Sequence, residues 1–182
     1  MINLDINRAI EHAISGKALL FLGAGFSTEA DNINAQKMGD AKKFSRFLCT
    51  KMGLPTNDDL SRVSNIYLKN NSVVELIDLL KNEFSCKSVN DFYKVITDVN
   101  WNRVYTTNYD DVFEFAARKS NKTYTSVTTN KEPQKFNKRN MVVHINGFIG
   151  TLTPDKLNNE FKLTSSSYNT TAFSITRWAA LF

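Results

Sequence analysis

The sequence predicts an α/β domain: a parallel sheet with helices on both faces and a helical insertion over about residues 39–99. Three observations predict it. Short apolar runs alternate with segments of helical periodicity, which is the signature of β-α-β units. A glycine loop, Gly23-Ala24-Gly25-Phe26-Ser27, directly follows the first apolar run. Three polar or glycine-rich motifs, at Gly23, Asn108 and His144, each sit at the end of a predicted strand. In open parallel sheets, ligands bind outside the carboxyl ends of the strands.

The elements follow in order. Asp5 to Ser15 carries Ile6, Ala9, Ile10, Ala13 and Ile14 at helical spacing, and Gly16 stops it. Ala18 to Leu22 reads as a buried strand, and the glycine loop after it is expected to open a helix. Asp40 caps a helix bearing Phe44, Phe47, Leu48 and Met52, closed by Gly53-Leu54-Pro55. Ser72-Val73-Val74-Glu75 is a capping box ahead of Leu76, Ile77, Leu79 and Leu80. Ser88-Val89-Asn90-Asp91 repeats it in weaker form ahead of Phe92, Val95 and Ile96. The insertion thus holds three or four helices, which either shape a pocket or fill space. Arg103 to Thr106 reads as a strand, followed by a helix with Val112, Phe113, Phe115 and Ala116. Thr123 to Val127 is a further strand, and Asn130 to Asn140 a polar loop. Met141 to Ile145 is a strand, Phe161 to Leu163 a short extended piece. Thr164 or Ser165 caps a last helix running to Trp178 and Phe182.

Composition narrows the function classes. At 182 residues the chain predicts one domain with a core that needs no disulfide or metal. No apolar run approaches membrane-spanning length, and no basic segment precedes an apolar stretch at the N-terminus. Cytoplasmic residence is the expectation. The net charge of +5 comes from scattered residues, with a loose cluster from Lys131 to Arg139, and matches no nucleic-acid motif. It reads as a solvated basic surface and also suits a dianionic dinucleotide. Cys49, Cys86, His12 and His144 fall in no paired spacing, so neither a zinc module nor any other metal site is predicted.

Each motif carries two readings. Gly23 and Gly25 let a backbone turn tightly, either for packing or so that a phosphate can approach it. Ser27 then caps the following helix or bonds the phosphate. In Thr107-Asn108-Tyr109-Asp110, the Asn108 amide can orient a ribose hydroxyl or a water, and Asp110 can accept from a carboxamide; both residue types also cap helices. His144, at a strand end in His144-Ile145-Asn146-Gly147, is expected to be accessible and oriented, with an unperturbed pKa suited to a general base. His12, on the first helix, reads as structural.

The order of the three motifs resembles the sirtuin family, and within it the bacterial branch of sirtuin-like NADase domains found in antiphage defence proteins. The resemblance runs from Ala18 to about Tyr168, including Leu163-Thr164-Ser165-Ser166-Ser167-Tyr168. It implies a Rossmann-like NAD-binding domain over residues 1–182. Gly23, Ala24, Gly25, Phe26 and Ser27 match the loop that holds the NAD phosphates. Asp110 matches the acid that holds the nicotinamide carboxamide, and Thr107 beside it is a further expected cofactor-binding residue. Asn108 and His144 match the catalytic pair, with His144 as general base. The implied reaction is hydrolysis of NAD to nicotinamide and ADP-ribose, with NAD as substrate. Homo-oligomers, or fused or associated effector domains, are implied as partners.

The departures refine this expectation. The zinc cysteines of sirtuin deacylases are missing, as is their Gly-Ile-Pro segment, and Ile145 and Asn146 separate His144 from its glycine. The missing zinc module favours water over acyl-lysine as acceptor, and a deacylase, or a non-catalytic NAD-binding or assembly module, remains as the alternative. A hydride-transferring dehydrogenase fits poorly, because the glycine fingerprint is incomplete. The family's Gly-Tyr-Ser-type strand is not found before Phe182, which predicts a C-terminally incomplete domain.

Overall fold

The computed structural model describes residues 5–133, 139–157, 159–164 and 173–181. A four-stranded parallel sheet forms the centre. Its strands are β1 (Leu19–Leu22), β4 (Arg103–Thr106), β5 (Thr125–Thr128) and β6 (Met141–His144), in the order β1-β4-β6-β5. The strands end in register: Leu22 lies beside Thr106, Thr106 beside His144, and His144 beside Thr128. The three motifs therefore leave the sheet at one lip, as the parallel sheet expected from the sequence requires.

Alternation along the strands divides the core. Leu22, Val104 and Val142 face α6 (Val112–Lys119) and bury Phe113, Ala117 and Tyr124. Tyr105, Met141, Val143 and Val127 face the other way, onto Trp178 and Phe173. Among the described residues, the cover on that second face is two 3-10 turns, Phe173–Ile175 and Ala179–Leu181; the sequence suggested one α-helix here, of which residues 165–172 lie outside the described residues. Its expected cap at Ser165 and its end at Phe182 lie outside the described residues. Phe161 to Leu163 forms no strand; Lys162 instead donates to the Asn146 carbonyl.

The insertion contains α2 (Ala41–Lys51), α3 (Leu60–Asn70), α4 (Val73–Phe84) and α5 (Phe92–Thr97). Asp40 caps α2 through the Lys43 amide, and Ser72 caps α4 through the Glu75 amide, as their spacing predicts. These helices own the largest core cluster, built on Phe44, Leu48, Tyr67, Leu76 and Leu80. Ser88 does not cap a helix. It ends β3 (Cys86–Ser88), which pairs antiparallel with β2 (Asp31–Asn32) and staples the insertion at its base. The Ser88 hydroxyl donates to Asp31 at 2.6 Å. At the N-terminus, α1 (Ile6–Ile14) is capped by Asp5, and Ile6, Ile10 and Ile14 are exposed. No helix among the described residues is long and apolar enough to cross a membrane.

Candidate functional site

The glycine loop does not open an α-helix. Gly23 to Ser27 closes as a single 3-10 turn, with Phe26 N–H donating to the Gly23 carbonyl and Ser27 N–H to that of Ala24. The next α-helix starts only at Ala41, because Thr28 to Lys37 carries no apolar periodicity and folds into turns around β2. A full helix dipole is therefore absent from this loop. The amides of Ala24 and Gly25 precede the first closing bond and have no partner inside the turn.

Packing does not explain the two glycines. A Cβ placed on Gly23 or on Gly25 would meet no atom within 4 Å. Gly23 has φ −116° and ψ −178°, an extended backbone open to any residue. Gly147 is the opposite case: its φ is +103°, and a Cβ would sit 2.7 Å from the Phe161 Cα. Gly147 is required by the fold, whereas Gly23 and Gly25 leave open space beside the backbone.

Asn108 joins the first two motifs. Its Nδ2 donates to the Gly23 carbonyl at 3.1 Å and to Ser27 Oγ at 3.0 Å. Ser27 Oγ donates in turn to Asp110 Oδ2 at 2.7 Å. Asp110 Oδ1 accepts from the Val112 amide, the first of α6, while Asp111 occupies the N-cap position. Burial pushes the Asp110 carboxyl up to about 6, although the Ser27 hydroxyl and the Val112 amide pull the other way. These residues border a cleft of about 140 Å³ lined by Ala24, Ser27, Thr107, Asn108, Tyr109, Asp110 and Asn146. Gly39, Asp40, Ala41 and Phe84 supply the opposite wall, so the insertion shapes the pocket. The volume is below that usual for a whole drug-sized ligand, and suits one end of a longer molecule.

Four expected site residues do not line the cleft: Gly23 and Gly25 stand in the turn beside its lining residues Ala24 and Ser27, and Phe26 and His144 face away from it. Phe26 packs against Tyr93 and Phe113, its carbonyl held by the Tyr93 hydroxyl at 2.7 Å, and anchors the loop without lining the cleft. His144 is oriented but not accessible: it is 1% exposed. Strand alternation turns its ring under α6, where Nε2 lies 2.8 Å from Glu114 Oε1 and Nδ1 lies 3.1 Å from the Asn108 carbonyl. The Phe148 ring covers it, with centroids 4.3 Å apart.

Glu114 and Asn146 escaped sequence reasoning. Glu114 is 4% exposed and also accepts from Ser126 Oγ at 2.6 Å. Its position between Phe113 and Phe115, in the first turn of a helix, was the available signal, but a carboxylate there also suits the helix dipole. Burial disfavours both charged forms, yet the Glu114 charge and hydrogen bond hold His144 above its ordinary pKa. The His144 charge, with bonds from His144 and Ser126, holds Glu114 below its own. Asn146 donates to the Thr107 carbonyl at 3.0 Å and lines the cleft two residues beyond His144. Among the described residues, no cluster of three metal-ligating side chains is found.

Two comparisons bear on this arrangement. Residues 102–180 match the family model of the SIR2-like domain, a span that includes Asn108, Asp110, Glu114 and His144. The chain is also similar to Defense-associated sirtuin 2 of Bacillus subtilis, 24% identical over 143 residues. That alignment covers 78% of this chain and 14% of the relative, so the chain spans a small part of that protein's length. The relative is of the bacterial defence-associated kind, the branch that the motif order resembles. The chain is thus an α/β domain with a parallel sheet that is similar to the SIR2-like family over residues 102–180 and, over most of its own length, to this defence-associated relative.

Proposed function

We propose that the domain binds NAD and hydrolyses it to nicotinamide and ADP-ribose, and that this activity serves antiphage defence. The observation that carries the reading is the junction of Asn108 with the glycine loop, beside two glycines that neither packing nor backbone strain demands. A backbone left bare at a strand end, with amides free of the turn's own bonds, suits an approaching diphosphate. A SIR2-like match supports NAD as the ligand, and the relative's name supports the defence setting.

In this reading, Gly23 to Ser27 cradles the diphosphate and Thr107 to Asp110 holds the nicotinamide end. Asp110 accepts from the carboxamide N–H. The bond between ribose C1′ and the pyridinium nitrogen breaks, with both electrons going to neutral nicotinamide. A water ordered by Asn108 bonds C1′ and releases its proton to bulk water. His144 is required behind Asn108. Turnover of a fluorescent NAD analogue by wild type, Asn108→Ala and His144→Ala tests this. Each variant should lose about a hundredfold or more, typical for positioned polar groups; equal turnover in all three would remove the assignment.

One observation favours a second reading, a binding module without chemistry: both His144 nitrogens already face protein acceptors. Calorimetry with NAD, followed by product analysis, separates the two. Heat of binding without nicotinamide release would select the module.

A further inference from the structure

Asn146 has no part in the cleavage steps above, yet it stands beside Asn108. The two residues follow the paired strand ends Thr106 and His144, each by two positions. Neighbouring strands run about 4.8 Å apart, so both side chains come to the cleft next to each other. The orientation of each amide is fixed by what its nitrogen touches, because a backbone carbonyl only accepts and the atom facing it is therefore Nδ2. Asn108 spends its N–H groups on the Gly23 carbonyl and on Ser27 Oγ. Asn146 donates to the Thr107 carbonyl at 3.0 Å. Each Oδ1 is thereby turned from these anchors, and neither takes a hydrogen bond among the described residues. We propose that Asn146 is a specificity-determining residue of the cleft: its Oδ1 accepts from one hydroxyl of the nicotinamide ribose, so the cleft prefers a ribosyl ligand to a deoxyribosyl one.

The hydrogen bonds of the cleft call for a ligand end rich in donors. The hydroxyls of Ser27 and Tyr109 are already given, to Asp110 and to the Lys162 carbonyl. What remains is mostly acceptors: the two amide oxygens and the carboxylates of Asp40 and Asp110. In the NAD reading, Asp110 takes the carboxamide N–H and Asn108 takes the water, which leaves Asn146 for the sugar. A ribose hydroxyl brings a hydrogen to donate, whereas the pyridinium ring and the diphosphate bring none. Asn146 is also placed in advance. Its backbone carbonyl accepts from the Lys162 amide at 2.8 Å, and Gly147 after it lies against the Phe161 backbone. A preplaced acceptor costs little ordering when a ligand binds. Tying the two loops together uses only Nδ2, so the fold itself gives the oxygen nothing to do.

The inference rests on the reading of NAD as the ligand, but not on its cleavage. The probe is carba-NAD, in which a methylene replaces the oxygen of the nicotinamide ribose ring and so removes the oxocarbenium route. Calorimetry compares it with its 2′-deoxy and 3′-deoxy counterparts. Wild type should bind carba-NAD about tenfold more tightly than one of the two deoxy compounds, the effect of one hydrogen bond. Asn146→Ala should bind carba-NAD and that compound alike. Asn146→Asp loses the Thr107 contact but keeps an acceptor at the cleft, and should retain the preference although every affinity falls. A preference that survives Asn146→Ala overturns the proposal. So does one lost equally in Asn146→Ala and Asn146→Asp, which would mean that the residue acts through the Thr107 backbone. A wild type that binds all three compounds alike overturns it whether or not any variant folds. If carba-NAD binds without a hydroxyl preference, the assignment of Asn146 alone fails; if carba-NAD does not bind at all, the NAD reading fails and takes this proposal with it.

Discussion

Gly23→Ala and Gly147→Ala form a matched pair whose outcomes the structure sets apart. At Gly23 the added methyl meets nothing within 4 Å and the backbone is extended, so the native state accepts it without strain. Loss of glycine's freedom in the unfolded chain should then stabilise the domain by ~0.4–1 kcal/mol. At Gly147 the methyl lies 2.7 Å from Phe161 Cα and 2.9 Å from the Glu160 carbonyl, both backbone atoms that cannot swing aside. The positive φ costs ~1–3 kcal/mol. Forcing the Glu160–Phe161 backbone away costs a further ~1–3 kcal/mol. A loss of roughly 3 kcal/mol is therefore expected for Gly147→Ala by urea unfolding, from the middle of these ranges. Gly23→Ala should instead lose NAD affinity tenfold or more by calorimetry, about 1.4 kcal/mol, because its methyl occupies the approach to the loop. If Gly23→Ala is destabilised by more than about 1 kcal/mol, or binds NAD as wild type does, its glycine serves the fold and the phosphate reasoning fails.

Three further outcomes follow from the buried charges and thiols. Glu114 is depressed below 4.5 and His144 raised above 6.5, so their pairing contributes most between those values. It is lost as pH rises through the His144 pKa and as pH falls through that of Glu114. Urea melts above pH 6.5 should show a decline of at most ~1.4 kcal/mol per pH unit from this proton, and Glu114→Gln should flatten it; parallel slopes would contradict the ion pair. Asp110, raised from 3.8 to about 6, holds a proton in the fold that the unfolded chain releases, so its destabilising effect grows across that window and is constant above it. Asp110→Asn should therefore be as stable as wild type, or more stable by up to ~2–3 kcal/mol at pH 7, while losing turnover; a less stable variant would show that the Ser27 and Val112 contacts outweigh desolvation. Cys49 and Cys86 are buried, and burial pushes the Cys86 thiol up to about 12. Neither should react with an alkylating reagent in the native chain at pH 8, and both should in denaturant; rapid native labelling of Cys86 would argue against its packed position.

The sheet was legible because its strands are short apolar runs bounded by glycine or polar residues, and because alternating strands and helices admit few topologies. The caps at Asp40 and Ser72 were legible because a cap is a local contact between residues three apart. What escaped was non-local. β2 and β3 have two and three residues, too few for any period, and exist because Asp31 meets Ser88 from 57 positions away. The absent helix after the glycine loop follows from Asn32, whose side chain accepts from the amides of Asn34 and Gln36 and turns the chain back. Glu114 is separated from His144 by 30 residues, so the contact that removes His144 from solvent leaves no trace in spacing.

Strand geometry accounts for why the Asn108 and His144 motifs share a lip while only one of their two key side chains reaches the cleft. A residue inside a strand points to one face or the other, and Thr106 and His144 share a row and a face. That face lies under α6, so His144 is committed to meeting a helix, and a polar ring there needs a buried partner, which Glu114 supplies. Side chains reach over the lip only where the chain has left the strand. Asn108 lies two residues past Thr106, and Asn146 lies two residues past His144; both line the cleft. The sheet thus offers a pair of amides to a ligand and keeps the imidazole one layer below, touching the backbone of one of them. Chemistry at the lip is then carried by Asn108 and Asp110, and the strand-end histidine governs it by holding the Asn108 carbonyl in place.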